Sequence, residues 1–297
     1  MELSQLEIFL TVANEKSFSR AAQKLMRTQP AVSLAIQRLE SELGEKLIDR
    51  SLKDGTLTDA GQVVLEFARK FANLKSGLQN ALTELRDSHT GRLTIGANES
   101  GALYLLSHIQ AFRKLYPGVK VEVRRSLSSR IPLEVLDNSI ELGVVSYEPT
   151  ERNLFSEVIY TDALCFVVFP SHPLAQRSPR QAKITELGAE HFIAHNVISP
   201  YRLTVLRTFQ KHHVTLNMPV EMPTLETIKQ AVQNKMGVAF LPRMTVQNEL
   251  DAGTLVEVQI KELRVERKIR LIHPSRRQLS HAAKAFLEVV KGGRRAG

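Results

Sequence analysis

The sequence predicts an all-α N-terminal domain, one long helix, and a C-terminal α/β domain of two lobes. Three observations predict this. Apolar residues recur at helical spacing through the first sixty residues. A heptad pattern runs from Val64 to Leu85. From residue 92, short β-rich segments alternate with helical ones.

Leu3, Leu6, Leu10 and Ala13 set an amphipathic helix over residues 3 to 14, and Ser17 is placed to cap a second. In that second helix Ala21, Ala22 and Leu25 form a small-residue face that lets another helix approach closely. A turn at Met26 and Arg27 leads to a third helix over residues 29 to 43. Thr28 serves as its N-cap, Pro30 is tolerated in the first turn, and Gly44 suits the stop. Val32, Ile36, Leu39 and Leu43 form its core face. Gln29, Pro30, Ser33, Leu34 and Gln37 lie opposite, with amide and hydroxyl groups of the size that reaches base edges in the major groove.

A polar face alone is what any solvated helix shows. Here two short helices meet at a tight turn, the second is polar outward near its start, and a hairpin signal, Asp54-Gly55, follows at once. Together these predict a winged helix-turn-helix that binds double-stranded DNA. Arg50 and Lys53 flank the hairpin turn, where they can pair with phosphates or stand as ordinary exposed cations.

Thr58 caps the next helix, and Asp59 favours its N-terminal dipole. Val64, Phe67, Phe71, Leu74, Leu78, Ala81 and Leu85 alternate at spacings of three and four, an a/d seam that needs a partner. Over residues 59 to 87 such a helix is about 43 Å long, too long for a small three-helix domain to cover. Self-association into a homodimer is the economical reading; packing against the C-terminal domain is the alternative.

Beyond residue 92 the pattern reads as α/β with a largely parallel sheet. In open α/β sheets the ligand crevice lies at the carboxyl ends of strands. The polar residues at those positions are Asn98 and Ser100, Ser128 and Ser129, Ser146 and Tyr147, with Tyr201, Arg202 and Thr224 at helix starts in the second half. Ser and Thr at such places also cap helices without any ligand. If the lobes face each other these residues ring one crevice, where free helix amides and Arg202 favour an anionic small-molecule effector.

Charge and composition narrow the function. The formal charge of +9 invites a nucleic-acid reading, yet residues 1–58 hold 8 Lys/Arg and 8 Asp/Glu, whereas residues 261–297 hold 11 and 3. The excess belongs to the C-terminus. No apolar run reaches membrane-spanning length, and the first residues carry two acids and no basic cluster, unlike a secretory signal, so a cytoplasmic protein without membrane contact is expected. Cys165 has no partner cysteine and reads as a buried core thiol. His191 and His195 have the H-x-x-x-H spacing, but Phe192 stands where a zinc protease needs Glu, and the segment reads as strand; no metal site is expected. No nucleophile elbow, Walker loop or dinucleotide fingerprint is present, so no catalytic residue or cofactor is nominated.

The run FLTVANEKSFSRAAQKLMRTQPAVSLAIQRLESELGEKLIDRSLKDGTLTDAG resembles the N-terminal domain of LysR-type transcriptional regulators nearly position by position. The likeness continues through YPGVKVEV, HPLAQR, residues 192–209, VQNKMGVAFLP and AAKAFLEVV. It implies a winged helix-turn-helix at residues 1–58 and a linker helix at 59–88 that pairs antiparallel in a dimer, commonly assembled into a homotetramer. It further implies an effector domain at 89–297 resembling type 2 periplasmic binding proteins. Lobe I would comprise about 92–161 and 268–297 and lobe II about 162–267, with crossings near residues 161 and 267. Carried over by position, Thr28, Gln29, Pro30, Ser33, Gln37 and Arg38 lie on DNA, Arg50 and Lys53 near phosphates, and Ser100, Ser128, Ser129, Tyr201 and Arg202 near the effector. RNA polymerase is a further candidate partner. Two departures stand out: Ile48 where an aromatic is usual, and Glu141 where Asp is usual. A solute-binding module, an α/β enzyme and a nucleoid-type architectural protein are the competing classes. The first would work without residues 1–58, the second lacks a catalytic constellation, and the third has no use for two hundred residues of α/β domain.

Overall fold

The computed structural model describes residues 1–49, 56–86, 90–276 and 278–293. They form two compact units, residues 1–88 with 137–139, and residues 89–136 with 140–297.

In the first unit, α1 (Leu3–Glu15), α2 (Phe18–Lys24) and α3 (Gln29–Leu43) enclose a core of Leu6, Phe9, Val12, Ala21, Ala22, Val32, Ile36 and Leu39. Ser17 caps α2 by accepting from the Arg20 amide, 3.3 Å. Met26 sits at φ +52° in the turn, and Gly44 ends α3 at φ +72°. Thr28 holds the N-cap position of α3 in extended geometry, but its hydroxyl makes no capping bond. Leu43, expected on the core face, is exposed: the chain reverses at Gly44 and buries Leu47 and Ile48 instead.

Glu40 explains how that return is held. Although it lies on α3, it is buried, and its Oε1 accepts from the amides of Leu47 (3.0 Å) and Ile48 (3.3 Å). Ile48 then bridges Leu57 in antiparallel fashion, and the Asp49 amide donates to Thr56 O at 2.8 Å. These are the two sides of the expected hairpin; its tip at Asp54-Gly55, with Arg50 and Lys53, lies outside the described residues.

The fourth helix, α4 (Asp59–Arg86), is capped by Thr58, whose hydroxyl accepts from Gly61 N at 3.0 Å. It starts packed on the core through the buried Ala68 and half-buried Val64, then leaves it. Phe67, Phe71, Leu74 and Leu78 are exposed, the last two by 61% and 62%. Ala81 is exposed too, and the side chain of Leu85 lies outside the described residues.

The second unit contains β1 (Gly91–Ala97), α5 (Glu99–Leu115), β2 (Val119–Arg125), α6 (Ile131–Leu136), β3 (Leu142–Val145) and β4 (Leu154–Val168). There follow β5 (Gln181–Ala182), β6 (Ile193–His195), α7 (Pro200–Lys211), β7 (Val220–Met222), α8 (Leu225–Gln233), β8 (Ala239–Pro242) and α9 (Arg243–Asp251). The unit closes with β9 (Val256–Ile260), β10 (Val265–Pro274) and α10 (His281–Gly293). The main sheet has the order β2-β1-β3-β10-β4-β9-β5, with β8 also on β4.

The sheet is mixed, not largely parallel. Only β1–β2, β1–β3 and β5–β9 pair in parallel within it; β10 lies antiparallel to β3 and β4, and β8 and β9 antiparallel to β4. The charged residues interleaved along VERKIRLIHP hid β10's full length, because alternate positions face solvent.

The unit has two lobes. In one, α5 and α10 pack on β1 and β3 around Leu93, Ile95, Phe112 and Phe286. In the other, Phe166, Val168, Phe192, Phe209 and Val238 form the centre. Strands β4 and β10 run through both. Ile159 is the extra residue of a bulge on β4, between the pairs Ile269–Tyr160 and Arg270–Val158, and its carbonyl accepts from the Tyr104 hydroxyl at 3.1 Å. Three residues on, Asp162 and Arg267 stand opposite each other and form a buried ion pair of 2.7 Å. Glu141 has a clear role despite the departure noted above: it receives the Ser280 amide (2.7 Å) and hydroxyl (2.8 Å) at the start of α10.

Candidate functional site

Two surfaces carry the residues nominated from the sequence. On α3, Thr28, Gln29, Pro30, Gln37 and Arg38 are exposed and Ser33 is half-buried, while Val32, Ile36 and Leu39 on the opposite side are fully buried. No carboxylate among the described residues lies within ion-pair distance of Arg38. The face therefore offers donors and acceptors that the fold does not consume.

The second surface is a cavity of about 470 Å³ between the two lobes of the second unit. It is lined by Asn98, Ser100, Ser128, Ser129, Ser146, Tyr147, Tyr201 and Arg202. Thr224 is not part of the lining: its hydroxyl is turned onto the Thr227 amide at 3.1 Å and caps α8, the role a helix-start Thr takes without any ligand. The N-termini of α5 and α7 both border the cavity, bringing first-turn amides and the positive ends of two dipoles to one place.

Several of these side chains hold the site together. Asn98 Oδ1 accepts from the Gly101 amide (2.8 Å) and the Ser100 hydroxyl (3.2 Å), while its Nδ2 donates to Ser128 Oγ at 2.8 Å. Ser199 caps α7 by accepting from Arg202 N at 3.1 Å. The Tyr201 hydroxyl donates across the lobes to Ser146 O, and burial pushes its pKa up against the pull of Arg267. Arg202 donates to His195 O (2.8 Å) and Glu221 (2.5 Å), yet its Nε is buried without a partner.

Sequence reasoning missed six polar lining residues: Ser126 and Ser199, and the four ionisable ones Arg267, Glu99, Arg125 and His195. Arg267 donates to Asp162 and to Ser100 Oγ (3.2 Å), and its guanidinium lies 5.0 Å from the Tyr201 ring centroid. Glu99 receives the Leu225 amide on both oxygens, 3.1 and 3.0 Å. Arg125 donates to Pro223 O at 3.4 Å. His195 Nδ1 accepts from the Val197 amide at 3.0 Å, which leaves the ring proton on Nε2. Burial holds the His195 pKa below the usual imidazole value, with Arg125 and Arg202 acting in the same sense and Glu99 opposing. The chemistry of Arg125 and Glu99 was legible at strand and helix ends; that of Arg267 depends on a cross-strand partner 105 residues away.

Among the described residues no group of His, Cys, Asp or Glu has the geometry to hold a metal ion. Cys165 is buried, and burial pushes its thiol up to about 12.

Two family models cover nearly the whole chain: the bacterial regulatory helix-turn-helix protein, lysR family, over residues 3–62, and the LysR substrate binding domain over residues 86–295. The chain belongs to the LysR family. It is a DNA-binding transcriptional regulator with an effector-binding domain, not an enzyme. A probable RuBisCO transcriptional regulator of Chlorokybus atmophyticus is 33% identical over 291 residues, 96% of this chain and 92% of that protein. One from Cyanidioschyzon merolae is also 33% identical, over 96% of each chain. Among solved structures, the LysR family regulator CbnR matches with a TM-score of 0.75 at 20% identity over 98% of this LysR-type chain and 99% of its own; CbnR has also been solved complexed with its target DNA. The Synechocystis CcmR regulatory domain, solved in complex with 2-PG, matches with a TM-score of 0.62 at 27% identity, covering 68% of this chain and 96% of that one. Among the described residues no helix of this regulator is long and apolar enough to cross a membrane.

Proposed function

We propose that this LysR-type regulator reads its promoter with the exposed face of α3 and is controlled by an organic anion bound in the interlobe cavity. Gln29, Pro30, Ser33 and Gln37 contact base edges, with Thr28 and Arg38 beside them and Arg50 and Lys53 on flanking phosphates. The division of α3 into a sealed core face and an unconsumed polar face carries this reading, and the target-DNA complex of CbnR supports it. The DNA-binding domain spans residues 1–58, the linker helix 59–88 and the effector domain 89–297, with lobe I at about 92–161 and 268–297 and lobe II at about 162–267. Pairing through α4 makes a homodimer, and two dimers a homotetramer. The assembly acts in the cytoplasm, and RNA polymerase is its further partner at the promoter.

Asn98, Ser100, Ser128, Ser129, Ser146, Tyr201 and Arg202 form the effector site, as the cavity's lining and the ligand complex of the CcmR regulatory domain support. An effector that contacts both lobes shifts their arrangement by its differential affinity for the two states. For the DNA face, replacing Gln29 or Ser33 by Ala is expected to weaken specific binding by about 1–3 kcal/mol. A gel-shift comparison of promoter with random DNA measures this, and unchanged discrimination in both variants overturns the assignment.

A further inference from the structure

The cavity's two sides differ in balance. The lobe containing β1–β3 lines it chiefly with Arg125, Ser126, Ser128, Ser129 and Ser146, whereas the other lobe sets an apolar wall of Phe192, Val205, Leu216, Met218 and Phe240 behind a polar edge of His195, Ser199, Tyr201 and Arg202. Val197 and Ile198 add a further apolar edge; Ile198 is 68% exposed and also lines the cavity.

The charges in the lining are unequally engaged. Arg267 is neutralised by Asp162 and Arg202 by Glu221. Among the described residues Arg125 has no carboxylate within ion-pair distance, and its guanidinium makes one long contact, to Pro223 O at 3.4 Å. Glu99 is the single carboxylate of the lining, and it is occupied by the Leu225 amide. The unspent polar capacity is thus mostly donor capacity: the Arg125 guanidinium, the His195 Nε2 hydrogen, the Arg202 Nε hydrogen and the amides of Glu99, Ser100 and Tyr201, the next amide of each helix being taken by its cap.

Resting on the reading of this cavity as the effector site, we propose that its ligand is an amphiphilic monocarboxylate, with its carboxylate held by Arg125 at the serine-rich lobe and an aryl or branched alkyl body against Phe240, Met218 and Ile198. Donors without acceptors select an anion. A largely apolar wall in a cavity of this size selects a body that a small phosphorylated acid, charged at both ends, lacks. Such a ligand touches the serine-rich lobe with its carboxylate and the apolar wall of the other lobe with its body, so it ties the two together.

Isothermal titration of the full chain with 3-phenylpropanoate, its neutral amide and 2-phosphoglycolate tests this. The carboxylate is expected to bind at least tenfold more tightly than either comparison compound. Arg125→Gln and Ile198→Ser, both at exposed positions, should each weaken it about tenfold, and Ser129→Trp should abolish it by filling the cavity. Equal binding of the amide, or no effect of Arg125→Gln, overturns the anionic anchor. Tighter binding of 2-phosphoglycolate that Ser129→Trp abolishes overturns the ligand class and leaves the site standing. Binding that survives Ser129→Trp, in a variant whose melting matches the parent, overturns the effector-site reading itself. No heat from 3-phenylpropanoate or octanoate at about 1 mM, where a Kd of that size half-fills the site, also overturns the class.

Discussion

Asp162 and Arg267 are directly opposed on β4 and β10, and both are buried. Taking two charges out of water costs several kcal/mol each, which their attraction offsets only with good geometry and further hydrogen bonds. Both partners have such bonds: Asp162 Oδ1 also accepts from Met244 N at 3.2 Å, and Arg267 reaches Ser100 and the Tyr201 ring. Asp162→Ala leaves a buried guanidinium without its counter-ion and is expected to lower stability by about 3–5 kcal/mol. Urea unfolding of the full chain measures the loss, and adding Arg267→Met should recover part of it, because no buried charge then remains. A single variant that unfolds like the parent sinks this account. Glu40 raises the same issue of legibility. Its place in a helix with an apolar stripe gave no sign that it would be buried, because its partners are backbone amides that converge only after the chain turns at Gly44. Residue types that cap or line by position, such as Ser17, Asn98 and Ser100, were readable, since their role depends on neighbours within three residues.

At the level of elements, the start of α4 is constrained by space. A Cβ on Gly61 would lie 2.1 Å from the Leu47 carbonyl oxygen, in the segment that enters the hairpin. Gly61→Ala must push that backbone away from the helix, and overpacking of this kind costs about 1–3 kcal/mol. Gly44→Ala meets nothing within 4 Å and bears only the cost of its φ of +72°, about 1 kcal/mol. Thermal melts of the two variants should therefore place Gly61→Ala below Gly44→Ala; the reverse order would show that the hairpin segment yields freely. The helices of the first unit were legible because their apolar period is local and unbroken. The sheet of the second was legible only in part. Strand β3 is an apolar run and β1 is mostly apolar after Arg92, whereas β7 and β9 alternate with charge or amide, and the central antiparallel pair β4–β10 is joined over a sequence distance of 105 residues at Asp162 and Arg267.

At the scale of the whole molecule the central physical problem is DNA affinity without bulk charge. Residues 1–58 carry equal numbers of acids and bases, so counter-ion release from a broad cationic surface cannot be their main resource. A domain with few phosphate contacts gains most from binding twice. In the homodimer proposed above, the exposed stripe of Phe71, Leu74 and Leu78 on α4 would be the pairing surface, and two copies of α3 would meet half-sites one turn of duplex apart. The second contact then occurs at an effective concentration near millimolar, which raises avidity by about 10²–10⁴-fold over a single domain. Leu74→Glu with Leu78→Glu sets charges in that stripe without touching α3 or the core of the first unit. Sedimentation is expected to show a monomer, with melting of the α3 domain unchanged and promoter affinity reduced by about two orders of magnitude or more. A variant that stays dimeric sinks α4 as the pairing surface. A monomer that keeps full affinity shows instead that one α3 face suffices, and then the neutral domain must draw its binding energy from base contacts alone.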